Sequence, residues 1–222
     1  MLEFLIHSLR DSASSNEGYR LRNGGSGGIG QALLEQLVEL YEVKCLFRTK
    51  SAVTGKWEQR GCTAVWGDLD DDKALVELVK GARFVFHCAA LVASGSYKKA
   101  YPVNVQGTLR LAQTAAAQGC QRLIHTSSIA VYSGASGDED YHEATELRDS
   151  DDMAVYSRTK VQAEQAFQKV GQGRRLEYTI LRPTCGYDPQ TKSYTLIPIE
   201  LIRKGLEPLG QLEASEQIQP HH

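Results

Sequence analysis

Short apolar runs alternate along this chain with stretches in which apolar residues recur every three or four positions. Runs at 43–47, 63–66, 83–87, 122–126 and 178–181 read as strands. Between them, 71–80, about 101–118 and 153–170 carry helical spacing, and glycines follow several of these stretches, where a helix ends most easily. A further amphipathic run begins at Ile29 and continues through Leu33, Leu34, Leu37, Val38 and Tyr41. Regular alternation of strand and helix predicts an α/β fold built on a doubly wound parallel sheet, with its ligand at the carboxyl ends of the strands.

The start of the chain fits this pattern worst. A parallel strand feeding the helix at Ile29 should be apolar on both faces, yet 18–23 reads GYRLRN. We expect a weak strand at 18–23 after a mobile polar tail over 1–17; a strand at Glu3 to Ser8, reached through a long loop, is the alternative. Residues 23–30, NGGSGGIG, then read as a phosphate loop opening a helix. Gly24, Gly27 and Gly30 are spaced by three, GxxGxxG, and a helix start offers unpaired N–H groups and partial positive charge to an anion.

The 222 residues, 41% hydrophobic and 23% charged, suit one main globular domain. A net charge of -2 without a basic cluster argues against holding nucleic acid by its phosphates. Cys45, Cys62, Cys88, Cys120 and Cys185 are scattered and never form a CxxC pair, so reduced thiols in a cytoplasm are expected, with neither a disulfide framework nor a metal site. No run reaches membrane-spanning length, and no secretory signal is read.

Candidate chemistry lies at the strand ends. An arginine at the end of the second strand accommodates a 2′-phosphate, whereas a carboxylate there binds a ribose hydroxyl. Arg48, with Lys50 close by, therefore favours NADP over NAD as the cofactor. Asp68 is placed to accept from an adenine amino group, and Asp70 or Asp71 to cap the next helix. Tyr156 and Lys160 in YSRTK lie four apart on one helix face. A neighbouring ammonium stabilises the phenolate, so that tyrosine can exchange a proton near neutral pH, and Ser128 can hold the same substrate oxygen.

GxxGxxG at 24–30, GDL at 67–69, FHCAALV at 86–92, NVQGT at 104–108, TSSIAVY at 126–132, YSRTK and LRPTCGYDP at 181–189 stand in one order. In that order they resemble the extended short-chain dehydrogenase/reductases, above all the NAD(P)-dependent epimerase/dehydratase and 3β-hydroxysteroid dehydrogenase-like groups. The resemblance implies a Rossmann domain over 18–189 and an NAD(P)-dependent oxidoreductase acting on a secondary alcohol or ketone. It makes Tyr156 the general acid/base, Lys160 the group that lowers its pKa and holds the nicotinamide ribose, Ser128 the substrate-oxygen donor, and Asn104 a residue that orders the site or relays protons. Gly24, Gly27, Ile29 and Gly30 match the pyrophosphate loop, Asp68 and Leu69 the adenine wall, Ala89 and Ala90 a strand end beside the cofactor, and Pro183 and Thr184 the segment beside the nicotinamide. A homodimer through the helices at 101–118 and 153–170 is also implied.

The chain departs from that family in three ways. Asn23 stands where a threonine is usual, the family's YGP is Tyr187, Asp188, Pro189, and only 190–222 remain for the substrate-binding lobe, which is therefore largely absent. Ile129 and Ala130 replace the acidic pair of the sugar-nucleotide dehydratases, which disfavours elimination. A nucleotide-sugar epimerase, a non-catalytic NAD(P)-binding regulatory protein and a truncated inactive product remain as alternatives.

Overall fold

The structure is a computed structural model that describes residues 2–9, 28–92, 95–134, 140–173 and 176–184. Its strands are β1 (Leu2–Leu9), β2 (Tyr41–Phe47), β3 (Cys62–Trp66), β4 (Phe84–His87), β5 (Arg122–Thr126) and β6 (Glu177–Leu181). Its helices are α1 (Gly28–Leu37), α2 (Ala52–Gln59), α3 (Asp72–Val79), α4 (Tyr97–Tyr101), α5 (Gly107–Ala117) and α6 (Val155–Gly173). A π-helical turn, Pro102–Gln106, joins α4 to α5, and a 3-10 turn, Ile129–Gly134, follows β5.

One sheet runs in the order β3-β2-β1-β4-β5-β6. Alternation along β2 sends Val43, Cys45 and Phe47 to one face, where they pack with Leu34 of α1, Val38 just after it and Trp57 of α2. Leu46 turns to the other face and joins Val65, Val85 and Leu123 under α3, α5 and α6. Helices thus cover both faces, as a doubly wound sheet requires. Among the described residues no helix is long and apolar enough to cross a membrane.

The pairings β2–β3, β4–β5 and β5–β6 are parallel, as expected. The first strand is not what the pattern favours. Its place between β2 and β4 is held by Leu2–Leu9, the alternative segment, and it runs antiparallel to both neighbours. The expected strand at 18–23 lies outside the described residues, and the expected tail over 1–17 gives way to strand at 2–9. An apolar segment that satisfies the facing edges of β2 and β4 removes two rows of unpaired backbone groups, which a segment as polar as RLRN does poorly. The reversal has a topological effect. Leu9 pairs with Tyr41 at the edge where β2 begins, whereas α1 turns directly into β2 and so starts at the opposite, carboxyl edge. β1 and α1 therefore do not form a strand–loop–helix unit across one edge.

Helix α2 was not evident in the pattern. Ser51 and Thr54 make a reciprocal cap at its start (2.8 and 3.3 Å), and Trp57 is fully buried beneath the Lys56 and Arg60 cations. Those cations pair with Glu35 of α1 and with Glu39 in the turn after it, so charge on the surface fixes the ring below it. Asp71 caps α3 by accepting from the Lys73 and Ala74 amides at 3.0 and 3.1 Å, one of the two caps expected. Cys45 and Cys62 are joined by a disulfide, contrary to the expectation of reduced thiols throughout. Cys45 pairs with Ala64 and Cys62 with Val43, which puts both side chains in the same cluster on neighbouring strands.

Gly107 begins α5 where the helix meets the loop after β3. A Cβ there would lie 2.8 Å from Leu69 Cβ and 2.7 Å from its Cδ1. Gly107→Val is therefore expected to destabilise the fold by about 1–3 kcal/mol through overpacking, read as a lowered denaturant midpoint with an unchanged m-value.

Two histidines meet at the buried ends of β4 and β5. His87 and His125 are register partners with ring centroids 5.0 Å apart, and His125 also packs on Phe167. The Thr108 hydroxyl donates to the Asn104 carbonyl (2.6 Å), so His87 Nε2 is the donor in its 2.6 Å contact with Thr108 Oγ1. Burial, then the Lys160 charge, then His87 push the His125 pKa well below the ordinary histidine range. His125 is thus neutral when folded and takes up a proton only when unfolded, below its unfolded pKa of about 6.5. The unfolded chain then binds more protons, so stability should fall as pH drops through 6.5 toward 5, by up to about 1.4 kcal/mol per pH unit. Thermal melts of the protein and of His125→Leu across that window check it; the variant should show the flatter dependence.

Candidate active site

The residues singled out in the sequence gather at the carboxyl edge of the sheet, in two groups on either side of β1. On the β2–β3 side, Arg48 follows β2 and Asp68 follows β3, and their charged groups face each other at 3.8 Å, each nearly half exposed. The Leu69 amide donates to Asp68 Oδ1 at 2.8 Å, which leaves Oδ2 directed at the guanidinium. Leu69 is buried against Gly107. Ile29 and Gly30 lie in the first turn of α1, the former half exposed and the latter buried. Gly24 and Gly27 lie outside the described residues.

On the other side, β4 is followed by Cys88, buried Ala89 and half-buried Ala90. The next residue, Leu91, is gripped by Asn104, whose Oδ1 accepts from its amide (2.7 Å) and whose Nδ2 donates to its carbonyl (3.2 Å). The second Nδ2 hydrogen goes to Thr159 Oγ1 at 3.0 Å. Asn104 sits in the π-helical turn, where the Gly107 amide reaches back to the Pro102 carbonyl. The extra residue in that turn turns Asn104 inward, and Pro102, which has no amide hydrogen, suits an irregular turn better than a regular one. Both amide hydrogens of Asn104 are committed to holding the loop after β4 against α6.

α6 carries Tyr156 and Lys160 one turn apart. Lys160 is only 2% exposed, and its Nζ donates to the carbonyl of Thr126, the last residue of β5, at 2.8 Å. Two residues on, half-buried Ser128 accepts from the Ala130 amide at 3.2 Å, which orients its hydroxyl at the start of the 3-10 turn. Tyr156 is half buried, and Pro183 and Thr184 follow β6 with Pro183 half buried. The fold therefore brings Ser128, Tyr156, Lys160, Asn104, Ala89, Ala90 and Pro183 to adjoining strand ends, with Arg48, Asp68 and Leu69 across the sheet.

Sequence reading missed a third residue of the α6 stripe. Glu164, four residues beyond Lys160, is 0% exposed. It takes both arms of Arg182, Nε at 3.1 Å and Nη2 at 2.7 Å. Arg182 Nη1 also donates to the Tyr132 hydroxyl (2.6 Å) and the Glu143 carbonyl (3.2 Å), and Tyr132 donates to the His142 carbonyl (2.9 Å) while stacking on Tyr141. The hydrogen bond to Glu164 is the main reason the guanidinium holds its proton more tightly than an ordinary arginine. The available signal was the i, i+4, i+8 spacing of Tyr156, Lys160 and Glu164, which puts a carboxylate on the stripe that faces the sheet.

The chemistry of this donor set fits a dinucleotide. A buried ammonium suits ribose oxygens, and a carboxylate and a guanidinium that are each nearly half exposed suit an amino group and an anion.

Known proteins agree with that fit. The chain is 31% identical over 157 residues to a 3-beta-hydroxysteroid dehydrogenase of Mycolicibacterium neoaurum, covering 65% of this chain and 41% of that one. It is 31% identical over 188 residues to a decarboxylating sterol-4-alpha-carboxylate 3-dehydrogenase of Mus musculus, covering 82% and 49%. The chain thus spans less than half the length of these relatives. Among solved structures it is similar to MoeE5 in complex with UDP-glucose and NAD (TM-score 0.68, 26% identity, 82% of this chain and 59% of that one). A UDP-glucose 4-epimerase of Thermotoga maritima shares the fold at a TM-score of 0.70 and 21% identity, over 84% of this chain and 63% of that one. The family model for the NAD dependent epimerase/dehydratase family matches residues 23–215, and the chain belongs to that family.

Proposed function

We propose that this chain is an NAD(P)-dependent oxidoreductase that interconverts a secondary alcohol and a ketone, with Tyr156 as acid/base. The observation that carries the reading is the Lys160 ammonium, one helical turn from Tyr156 and buried against the carbonyl of Thr126, which itself lies two residues before Ser128. A full positive charge held in that place lowers the pKa of a nearby phenol and keeps its phenolate accessible near neutral pH. Tyr156 then takes the proton from the substrate hydroxyl, or returns it to the ketone oxygen, while the Ser128 hydroxyl donates to that same oxygen. When bound, a nicotinamide cofactor supplies the hydride donor or acceptor. Asn104 keeps the β4 loop and α6 at a fixed separation, so the groups around the substrate oxygen stay in register.

In the same reading Gly24, Gly27, Ile29 and Gly30 hold the pyrophosphate, Asp68 and Leu69 the adenine, Ala89, Ala90, Pro183 and Thr184 the nicotinamide end, and Lys160 its ribose. Arg48 favours NADP: its guanidinium has five donors and one carboxylate partner at 3.8 Å, which leaves hydrogens for a 2′-phosphate. The substrate body is apolar and ring-like. Val92, in the loop after β4, is 55% exposed and Ile129, directly after Ser128, is 45% exposed, a poor lining for a sugar diphosphate and a good one for the sterol-like substrates named for the relatives. Two copies pair through α5 and α6, where a groove of about 410 Å³ between Tyr97, Tyr101, Leu109 and Ala166 gives a second copy a surface to fill.

Three measurements test this. Tyr156→Phe should retain cofactor binding and lose about 10²- to 10⁴-fold in kcat, and an unchanged kcat would remove Tyr156 from the mechanism. Titration with NADPH and NADH, followed by the rise in thermal stability, should show NADPH bound more tightly. Arg48→Ala should reduce that preference by about tenfold, the loss of one charge-assisted contact.

A further inference from the structure

We propose that Arg182, clamped by Glu164, is the positioning residue that fixes Ser128 against the helix carrying Tyr156 and Lys160. The proposal rests on the acid/base reading above. Its basis is a chain of contacts that passes through one guanidinium. The Ser127 amide donates to the Leu181 carbonyl at 2.7 Å, and the Ile129 amide donates to the Pro183 carbonyl at 3.0 Å. Ser128 is thus bracketed by two backbone bonds whose acceptors bracket Arg182. From Arg182 the fork runs to both oxygens of Glu164 on α6. Glu164 lies one turn from Lys160 and two from Tyr156 on the same stripe of helix. The third arm runs to Tyr132, in the 3-10 turn that begins at Ile129. The segment that carries Ser128, the turn that follows it and the helix that carries Tyr156 and Lys160 meet at a single planar cation.

The type of residue matters here. A lysine presents a point charge and cannot serve two carboxylate oxygens and a phenol in fixed directions; the guanidinium can. A buried ion pair is a weak source of stability, since well-packed apolar side chains of like volume do as well or better. A buried, forked pair at the meeting point of the reacting groups therefore points to geometry as its contribution, where a displacement of about 1 Å can cost about 100-fold in rate.

The test compares the full-length chain with Arg182→Lys, Glu164→Gln and the double variant Glu164→Met/Arg182→Met. Three quantities are read: thermal midpoint, kcat, and the pH at which the Tyr156 phenolate absorbance appears without added substrate, with Tyr156→Phe as the blank. In the unaltered protein this phenolate should form below the ordinary tyrosine range of about 10. The single variants should lower the thermal midpoint, move the phenolate titration toward about 10 and reduce kcat by about 10- to 100-fold. The double variant should regain the thermal midpoint while kcat stays low and the titration stays high. This arm decides the matter even if a single variant fails to fold. Recovery of kcat and of the titration together with the midpoint would overturn the proposal and leave the pair a purely structural role. If the unaltered protein shows no early phenolate and no turnover, the acid/base reading itself fails and the positioning role falls with it.

Discussion

A lysine ammonium excluded from water sets the terms for this half of the molecule. Lys160 is carried into the interior at the carboxyl end of β5, and the cost of removing a full charge from water obliges the surroundings to supply oxygen acceptors at short range. That need brings α6 close to β5. It also explains why the buried face of α6 changes character along its length. Its first turns bury Ser157, Thr159, Lys160 and Glu164, each of the last three with a hydrogen-bonding partner, whereas Phe167 and Val170 farther on join the apolar core. The helix thus carries its buried polar groups where it meets the strand ends, beside Val161 and Ala163, and Phe167 and Val170 where it meets the body of the sheet. The same charge weighs on His125 beneath it, which stays neutral and accepts the packing of a hydrophobic ring.

Much of this could be read from the sequence because the signal was local. The runs ending at Phe47, Trp66, His87, Thr126 and Leu181 are strands with those same ends, because each is a short stretch rich in apolar residues between polar or helical segments. Tyr156 and Lys160 share a face because helical spacing dictates it. What escaped depended on partners far away in the chain. Glu164 and Arg182 each look like ordinary surface charges until the fold places them together. Helix α2 is short, and its most apolar residue, Trp57, is buried by cations that belong to its own surface, so its periodicity is faint. Cys45 and Cys62 acquire meaning only through the register of β2 and β3. The first strand failed for a different reason: local polarity argued against 18–23, but nothing local says that a strand will enter a parallel sheet backwards.

That backward strand also acts as a spacer. β1 lies between the two strands whose ends carry Arg48 and Ala89, and it alone separates the β2–β3 pair from the β4–β5–β6 set. Adjacent strands sit about 4.8 Å apart whichever way they run, so one intervening strand holds β2 and β4 about 10 Å from each other. The breadth of the edge over which a long, two-ended ligand would stretch is therefore set by how many strands are present. The direction of the middle one does not enter, and a reversal that breaks the continuity of strand and helix leaves that breadth intact.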